Sequence, residues 1–247
     1  MVLLNEYCER VIPMARSQLL KDLTSGNSSI ESILMRLKVI LSGLNNDVIS
    51  EWVDGELSGY RDVSHLPPYR VVSGEPKGHC IINNRAEVKN YIVPLRSLLI
   101  KRNILDKYED FVNIDITDGI GSLEYAIKHE RERNFGRSIP TEVCQSLSSR
   151  ELQIASMNIL IPINKVEGVI SVTKSKLIDV ILKLEKDFTD IDSLDIDNQF
   201  ESKESTERDF IIINLLQIIN DNSIEIGDGN KITKSRIGHS EVEKYEE

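Results

Sequence analysis

Two runs decide how this chain is read: Glu51-Trp52-Val53-Asp54-Gly55-Glu56-Leu57-Ser58-Gly59-Tyr60, and Leu66-Pro67-Pro68-Tyr69-Arg70-Val71-Val72. In the first, Val48, Ile49, Trp52, Val53 and Leu57 recur at helical spacing. Gly59 stands where a helix ends in a residue free to take a positive φ, the C′ position. Tyr60 is placed to pack back on that helix. In the second run, Pro67-Pro68-Tyr69 cannot continue a helix and sets an extended exit. Trp52 and Leu57 are expected to face a core, so the block reads as framework before it reads as a working site.

Upstream, Leu4, Cys8, Val11, Ala15 and Leu19 repeat at helical spacing, with Pro13 as a kink or a new start. The loop 24–29 closes on Ser28-x-x-Glu31, a capping box for the next helix. That helix carries Ile30, Ile33, Leu34, Leu37, Ile40, Leu41 and Leu44, and Asn45-Asn46-Asp47 breaks it. The short connection predicts an antiparallel pair with the helix of the opening block.

Downstream the texture changes. Residues 60–78 read as extended or irregular, and Ile81-Ile82-Asn83-Asn84-Arg85 ends a short strand in a turn. Tyr91-Ile92-Val93-Pro94-Leu95 is extended, and a short helix follows around Ser97 to Asp106. Phe111 to Ile116 alternates like a strand, Asp118-Gly119-Ile120-Gly121 supplies turn chemistry, and Leu123, Ala126 and Ile127 open another helix. Ile139-Pro140 starts a segment through Leu147. Ile159-Leu160-Ile161-Pro162-Ile163 reads as an edge strand or loop because of its proline. Residues 166–188 form a long helix on Leu177, Ile178, Ile181, Leu182, Leu184 and Phe188.

The aspartates from Asp187 to Asp197, followed by a polar stretch, read as an acidic linker over 191–208. Residues 209–247 read as a β-prone tail, in which Ile224, Ile226 and Ile232 flank the turn Gly227-Asp228-Gly229-Asn230. Isolated strands of this kind gain most by pairing, so Ile224, Ile226, Gly227, Asp228, Asn230 and Ile232 are the expected oligomerisation or docking element. The fold class is therefore mainly α with short β elements: a helical N-terminal domain (1–190), the linker, and the tail.

The opening block resembles the signature of the AbiTii domain: a helix ending in Glu-Trp…Glu-Leu-x-Gly-Tyr, a spacer, then Leu-Pro-x-Tyr-Arg. The residues that carry it are Trp52, Glu56, Leu57, Gly59, Tyr60, Leu66, Pro67, Tyr69 and Arg70. The spacer here, Arg61-Asp62-Val63-Ser64-His65, is less acidic than the family's usual one. Val93-Pro94-Leu95, Ser97-Leu98, Asp118-Gly119-Ile120, Ile139-Pro140 and the 180–184 helix fit the same family, over roughly residues 1–190. The resemblance implies a role in bacterial abortive infection and supplies no catalytic residues.

Composition narrows the mode of action. A net charge of −10 disfavours nucleic acid and anionic membrane as partners. The longest near-continuous apolar stretch, 210–219, is half of what a membrane span needs. Cys8, Cys80 and Cys144 form no CxxC pair, which suits a reducing cytoplasm. Several local patterns suggest chemistry without completing it. His79-Cys80 would point to opposite faces of a strand, which separates a thiol from its base. His129-Glu130 lacks the second histidine of HExxH, since Arg133 stands there. Asp190 and Asp192 fit two positions of a calcium loop that lacks its glycine. Gly119-Ile120-Gly121 is too short to cradle phosphate. Lys101-Arg102 and Lys231 to Arg236 are small basic clusters without interleaved aromatics. No cofactor or metal is expected. The favoured reading is a phage-defence protein acting by self-assembly or by binding a protein partner of a defence system. The alternatives are a toxin enzyme acting on nucleic acid or nucleotides, and a sensor or antitoxin restraining a separate effector.

Overall fold

The chain puts its apolar stripes into two bodies joined by a common seam. The computed structural model describes residues 16–129 and 135–220. The first body is helical. It contains α1 (Gln18–Ser25), α2 (Ile30–Ser42) and α3 (Asp47–Ser58), together with α8 (Ile163–Asp187), α9 (Asp197–Glu201) and α10 (Ser205–Asn220). Leu19, Ile33, Leu37, Ile49, Leu177, Ile181, Leu184 and Leu215 fill its core with almost no exposure. The expected stripe of α2 is buried as read, and Asn46 caps α3 by accepting the Ile49 amide. The α2 cap differs from expectation: Ser29, not Ser28, accepts from Ser32 N. Glu31 then sits in the first turn with its carboxylate turned toward α6 (Ile120–His129).

The second body is an antiparallel sheet of order β3-β2-β6-β5. Its strands are β2 (Glu75–Ile82), β3 (Ala86–Ile92), β5 (Phe135–Ile139) and β6 (Leu152–Ile161). One face is covered by α4 (Leu95–Lys101), α5 (Tyr108–Val112) and α7 (Thr141–Leu147), packed over Cys80, Leu99, Cys144, Met157 and Ile159. Residues 159–163 were expected to form an edge strand or loop. Residues 159–161 instead end a ten-residue central strand that pairs with β2 on one side and β5 on the other. Pro162 lies just past the strand, at the N-cap of α8, where it interrupts no ladder. A separate two-stranded ribbon joins β1 (Val71–Ser73) to β4 (Asn113–Asp115). Phe111 and Val112 are helical and not part of the expected strand. The seam between the bodies is Ile116, Leu123, Ile161, Val166 and Val169.

The helical majority fits the mainly α expectation, but the β elements form an organised sheet and not isolated pieces. Residues 191–208 are not a linker. They contain a 3-10 turn (Ile191–Ser193), α9 and the start of α10, and Ile191, Ile196 and Phe200 are buried. Their few apolar residues have a ready core to enter, so the acidic surroundings stay on the surface. Asp192 also accepts the Gln18 and Leu19 amides at the start of α1. Residues 210–219 are helical and not β-prone, with Ile211, Ile213, Leu215 and Ile219 buried. Packing there overrides the β preference of isoleucine. Ile224, Ile226, Gly227, Asp228, Asn230 and Ile232 lie outside the described residues, as do Cys8 and Pro13. No helix of the described residues is long and apolar enough to cross a membrane.

Phe200→Ala tests whether this segment belongs to the core. It is expected to lower unfolding stability in urea by about 3–5 kcal/mol. A linker residue would shift it by less than about 0.5 kcal/mol.

Candidate functional site

The signature residues converge on one carboxylate. Glu56 lies on the inward face of α3, one turn after Trp52 and Val53, and it has no solvent exposure. Its Oε1 accepts from Tyr60 Oη at 2.9 Å, Tyr69 Oη at 2.8 Å and Arg70 Nε at 3.0 Å. Its Oε2 accepts from Arg70 Nη2 at 2.6 Å and Thr173 Oγ1 at 3.1 Å. Trp52 Nε1 donates to Tyr69 Oη at 3.0 Å, and Lys176 Nζ lies 5.2 Å from the Tyr69 ring centre. Five donors on one carboxylate exceed its four lone-pair sites, so the acceptor is saturated.

Arg70 is the second hub. Its fork binds Glu56, and its remaining Nη1 donates to Asp118 O at 2.5 Å and Ile116 O at 3.3 Å. Burial alone would pull its pKa down. The Glu56 hydrogen bonds and charge outweigh that and raise it, so the guanidinium stays charged. Burial, then the Glu56 charge, pushes both Tyr60 and Tyr69 well above the phenol range, and both remain donors. Neither phenol can serve as a base, and both Glu56 and Arg70 are sealed from solvent. The cluster fastens together elements that lie far apart in the sequence.

It fastens a specific turn. Tyr60 N donates to Thr117 O at 2.8 Å and Ile116 N to Arg70 O at 2.9 Å. Gly59 caps α3 at φ +90°, as the sequence predicted. A Cβ on Gly119 would stand 2.3 Å from Leu57 O, so the 117–119 turn can approach α3 only as glycine. Leu57 itself is half-buried. Pro67 is buried, Leu66 is half-buried, and Pro68 starts the short 3-10 turn that delivers Tyr69 and Arg70.

The clamped turn forms one wall of an open cleft of about 890 Å³. Leu57, Ile114, Ile116, Leu123, Phe135 and Ile161 supply apolar lining, and Glu31, Asp115, Asp118, Ser122 and Tyr125 supply polar groups. No lysine or arginine lines it among the described residues. The Glu31 carboxylate sits so close to Gly121 that a Cβ there would be 2.7 Å from it. Nearby Glu124 is held above the ordinary glutamate value, first by burial and then by the Glu31 charge. Among the described residues, the charged groups of this concave lining are all anionic.

The other sequence candidates resolve as structure. Cys80 is fully buried, and burial raises its pKa. His79 points the other way and its Nε2 lies 2.7 Å from Glu87. His129 stacks on Tyr125 at 4.6 Å between ring centres. No group of three metal-ligating side chains comes together among the described residues. Sequence reading missed Thr173 and Lys176, which sit on the buried stripe of α8 with Val169, Leu177 and Val180. Polar residues on an otherwise apolar helical face are the signal that could have found them.

The AbiTii family model matches residues 17–209, and no curated protein or solved structure matches the chain. The chain therefore belongs to the AbiTii family. The match runs past residue 190 and takes in the segment expected to be a linker. Membership implies a role in bacterial abortive infection.

Arg70→Met leaves Glu56 buried without its counter-charge. It is expected to cost about 3–5 kcal/mol in urea unfolding. A loss under about 1 kcal/mol would mean that the cluster fastens nothing. Glu124 gives a pH test. A raised carboxyl pKa contributes stability fully present below the ordinary value of 4.5 and lost as pH rises through the raised value. Glu124→Gln should therefore unfold at higher urea than the parent at pH 7 and coincide with it below pH 4.5. A variant less stable than the parent at pH 7 would contradict this.

Proposed function

We propose that this member of the AbiTii family serves abortive infection by binding, and that the cleft between α3, α6 and β5 takes a cationic, partly apolar segment of a protein partner. The observation that carries this is the pairing of apolar lining residues with Glu31, Asp115 and Asp118, without a lining cation among the described residues. Such walls favour lysine or arginine beside an aliphatic side chain and disfavour a bare phosphate. A volume of about 890 Å³ suits a ligand larger than a single side chain. The enzyme alternative lacks comparable support. Ser122 and Tyr125 are the hydroxyls of the lining, and among the described residues neither hydrogen-bonds to a lining carboxylate. A nucleophile needs a base within that reach.

Ser122→Arg puts a cation into the cleft from an exposed position on α6. Phage plating on bacteria carrying this variant should rise at least tenfold toward the unprotected level, with the thermal midpoint near the parent's. Full protection by the folded variant would refute the cleft as the binding site.

A further inference from the structure

Strand β5 is the last of its sheet and pairs only with β6 among the described residues. The ladder on the far side of β6 decides which backbone groups of β5 are free. There Pro76 faces Ile159, and its carbonyl turns away to accept from Val93 N at 2.9 Å. Proline has no N–H to give, so Ile159 directs its own N–H and C=O toward β5. A Cβ on Gly136 would run into Ile159 O, which confirms the direction. Antiparallel partners alternate between bonded and unbonded pairs, so Phe135, Arg137 and Ile139 bond to β6. Gly136 and Ser138 turn their N–H and C=O outward. Both residues are exposed, and no other backbone group of the described residues bonds to them.

Two hollows meet this edge. The cleft reaches Phe135 and Gly136 at one end of β5. A second hollow, of about 480 Å³, reaches Arg137, Ser138 and Ile139 at the other. Its charges are answered from within: Lys107 Nζ lies 3.6 Å from Asp110, and Arg137 Nη2 donates to the carbonyls of Asp110 and Phe111. What remains to offer a ligand is apolar, from Ile104, Phe111, Ile139 and Pro140. Phe135 and Ile139 stand on one face of β5, four positions and about 14 Å apart. The opposite edge of the sheet, β3, lines neither hollow and is interrupted by Asn90 at φ 55°.

We infer that the partner binds as an extended strand added to β5, bonded to the backbone of Gly136 and Ser138, with a lysine or arginine in the cleft and an apolar side chain four positions away in the second hollow. The inference rests on the cleft being the binding site, and it names how the partner is held. Side chains on one face of a strand recur at every second position, so positions four apart match the two hollows. In strand addition the backbone bonds supply affinity and the pockets supply selectivity. Here Glu31, Asp115 and Asp118 select the cation and so fix which end of the segment lies in the cleft.

The test uses the full chain. Ser138→Pro removes one outward N–H and puts a ring into the slot, while the ladder to β6 loses no bond. Phage plating on bacteria carrying it should rise at least tenfold, with the thermal midpoint near the parent's. Asn158→Ala removes the 2.7 Å bond from Ser138 Oγ to Asn158 Oδ1 without touching the free edge, and should protect as the parent does. Full protection by a folded Ser138→Pro would overturn the inference, and so would an equal loss in Asn158→Ala. A second measurement needs no variant. The blocked peptide Thr-Lys-Thr-Val-Thr-Leu-Thr, in millimolar excess, should slow amide exchange at Gly136 and Ser138 at least fivefold. Arg137 and Ile139, already bonded to β6, should keep their rates. No slowing at Gly136 and Ser138 would overturn the inference. Lost protection in Ser122→Arg beside full protection in Ser138→Pro would leave the cleft as the site and remove only the added strand.

Discussion

The buried Glu56 carboxylate is the constraint on which the rest of the structure depends. It gathers donors from its own helix end (Tyr60), the exit turn (Tyr69 and Arg70) and a helix more than a hundred residues away (Thr173). A charge with no exposure is tolerable only when every partner is in place, because each missing donor leaves a desolvated anion. The arrangement is therefore close to all-or-none. Arg70 carries the constraint onward by holding Ile116 O and Asp118 O. Of the signature, Trp52, Glu56, Tyr60, Tyr69 and Arg70 are parts of this one fastener.

The cleft has the opposite electrostatics. In the fastener each charge is answered within a few ångströms, and both Glu56 and Arg70 are sealed from water. In the cleft, Glu31, Asp115 and Asp118 lie along an open space with no lining cation among the described residues. The two are one backbone turn apart. The signature residues hold the wall, and the binding proposed for the cleft falls to side chains mostly outside the signature, Leu57 excepted.

Local signals in the sequence led to correct structure where local forces dominate. The stripes of α2, α3 and α8, the Asn46 cap and the Gly59 C-cap all depend on residues a few positions apart. Long-range features were hidden for the same reason. Central pairing of β6 with β2 joins residues some eighty positions apart, and no period announces it. Ile191, Ile196 and Phe200 looked too sparse among aspartates to fold, because local composition does not reveal a core built elsewhere. Glu56 and Arg70 were both visible as signature residues, but the turn between them erases any spacing rule that would reveal the pair. The cleft was least legible: Glu31, Asp115 and Asp118 come from three separate segments.

The central claim is that the Glu56–Arg70 fastener holds the 116–119 turn and so shapes the cleft. Arg70→Lys keeps the charge but loses the fork that grips carboxylate and carbonyls together. Amide exchange in this variant is the direct measurement. The account predicts faster exchange at Tyr60, whose amide is bonded to Thr117 O, and at residues 118–122, with protection kept at Cys80 and Ile154 in the sheet. Unchanged exchange at Tyr60 and the turn would show that the turn holds itself, and would contradict the account.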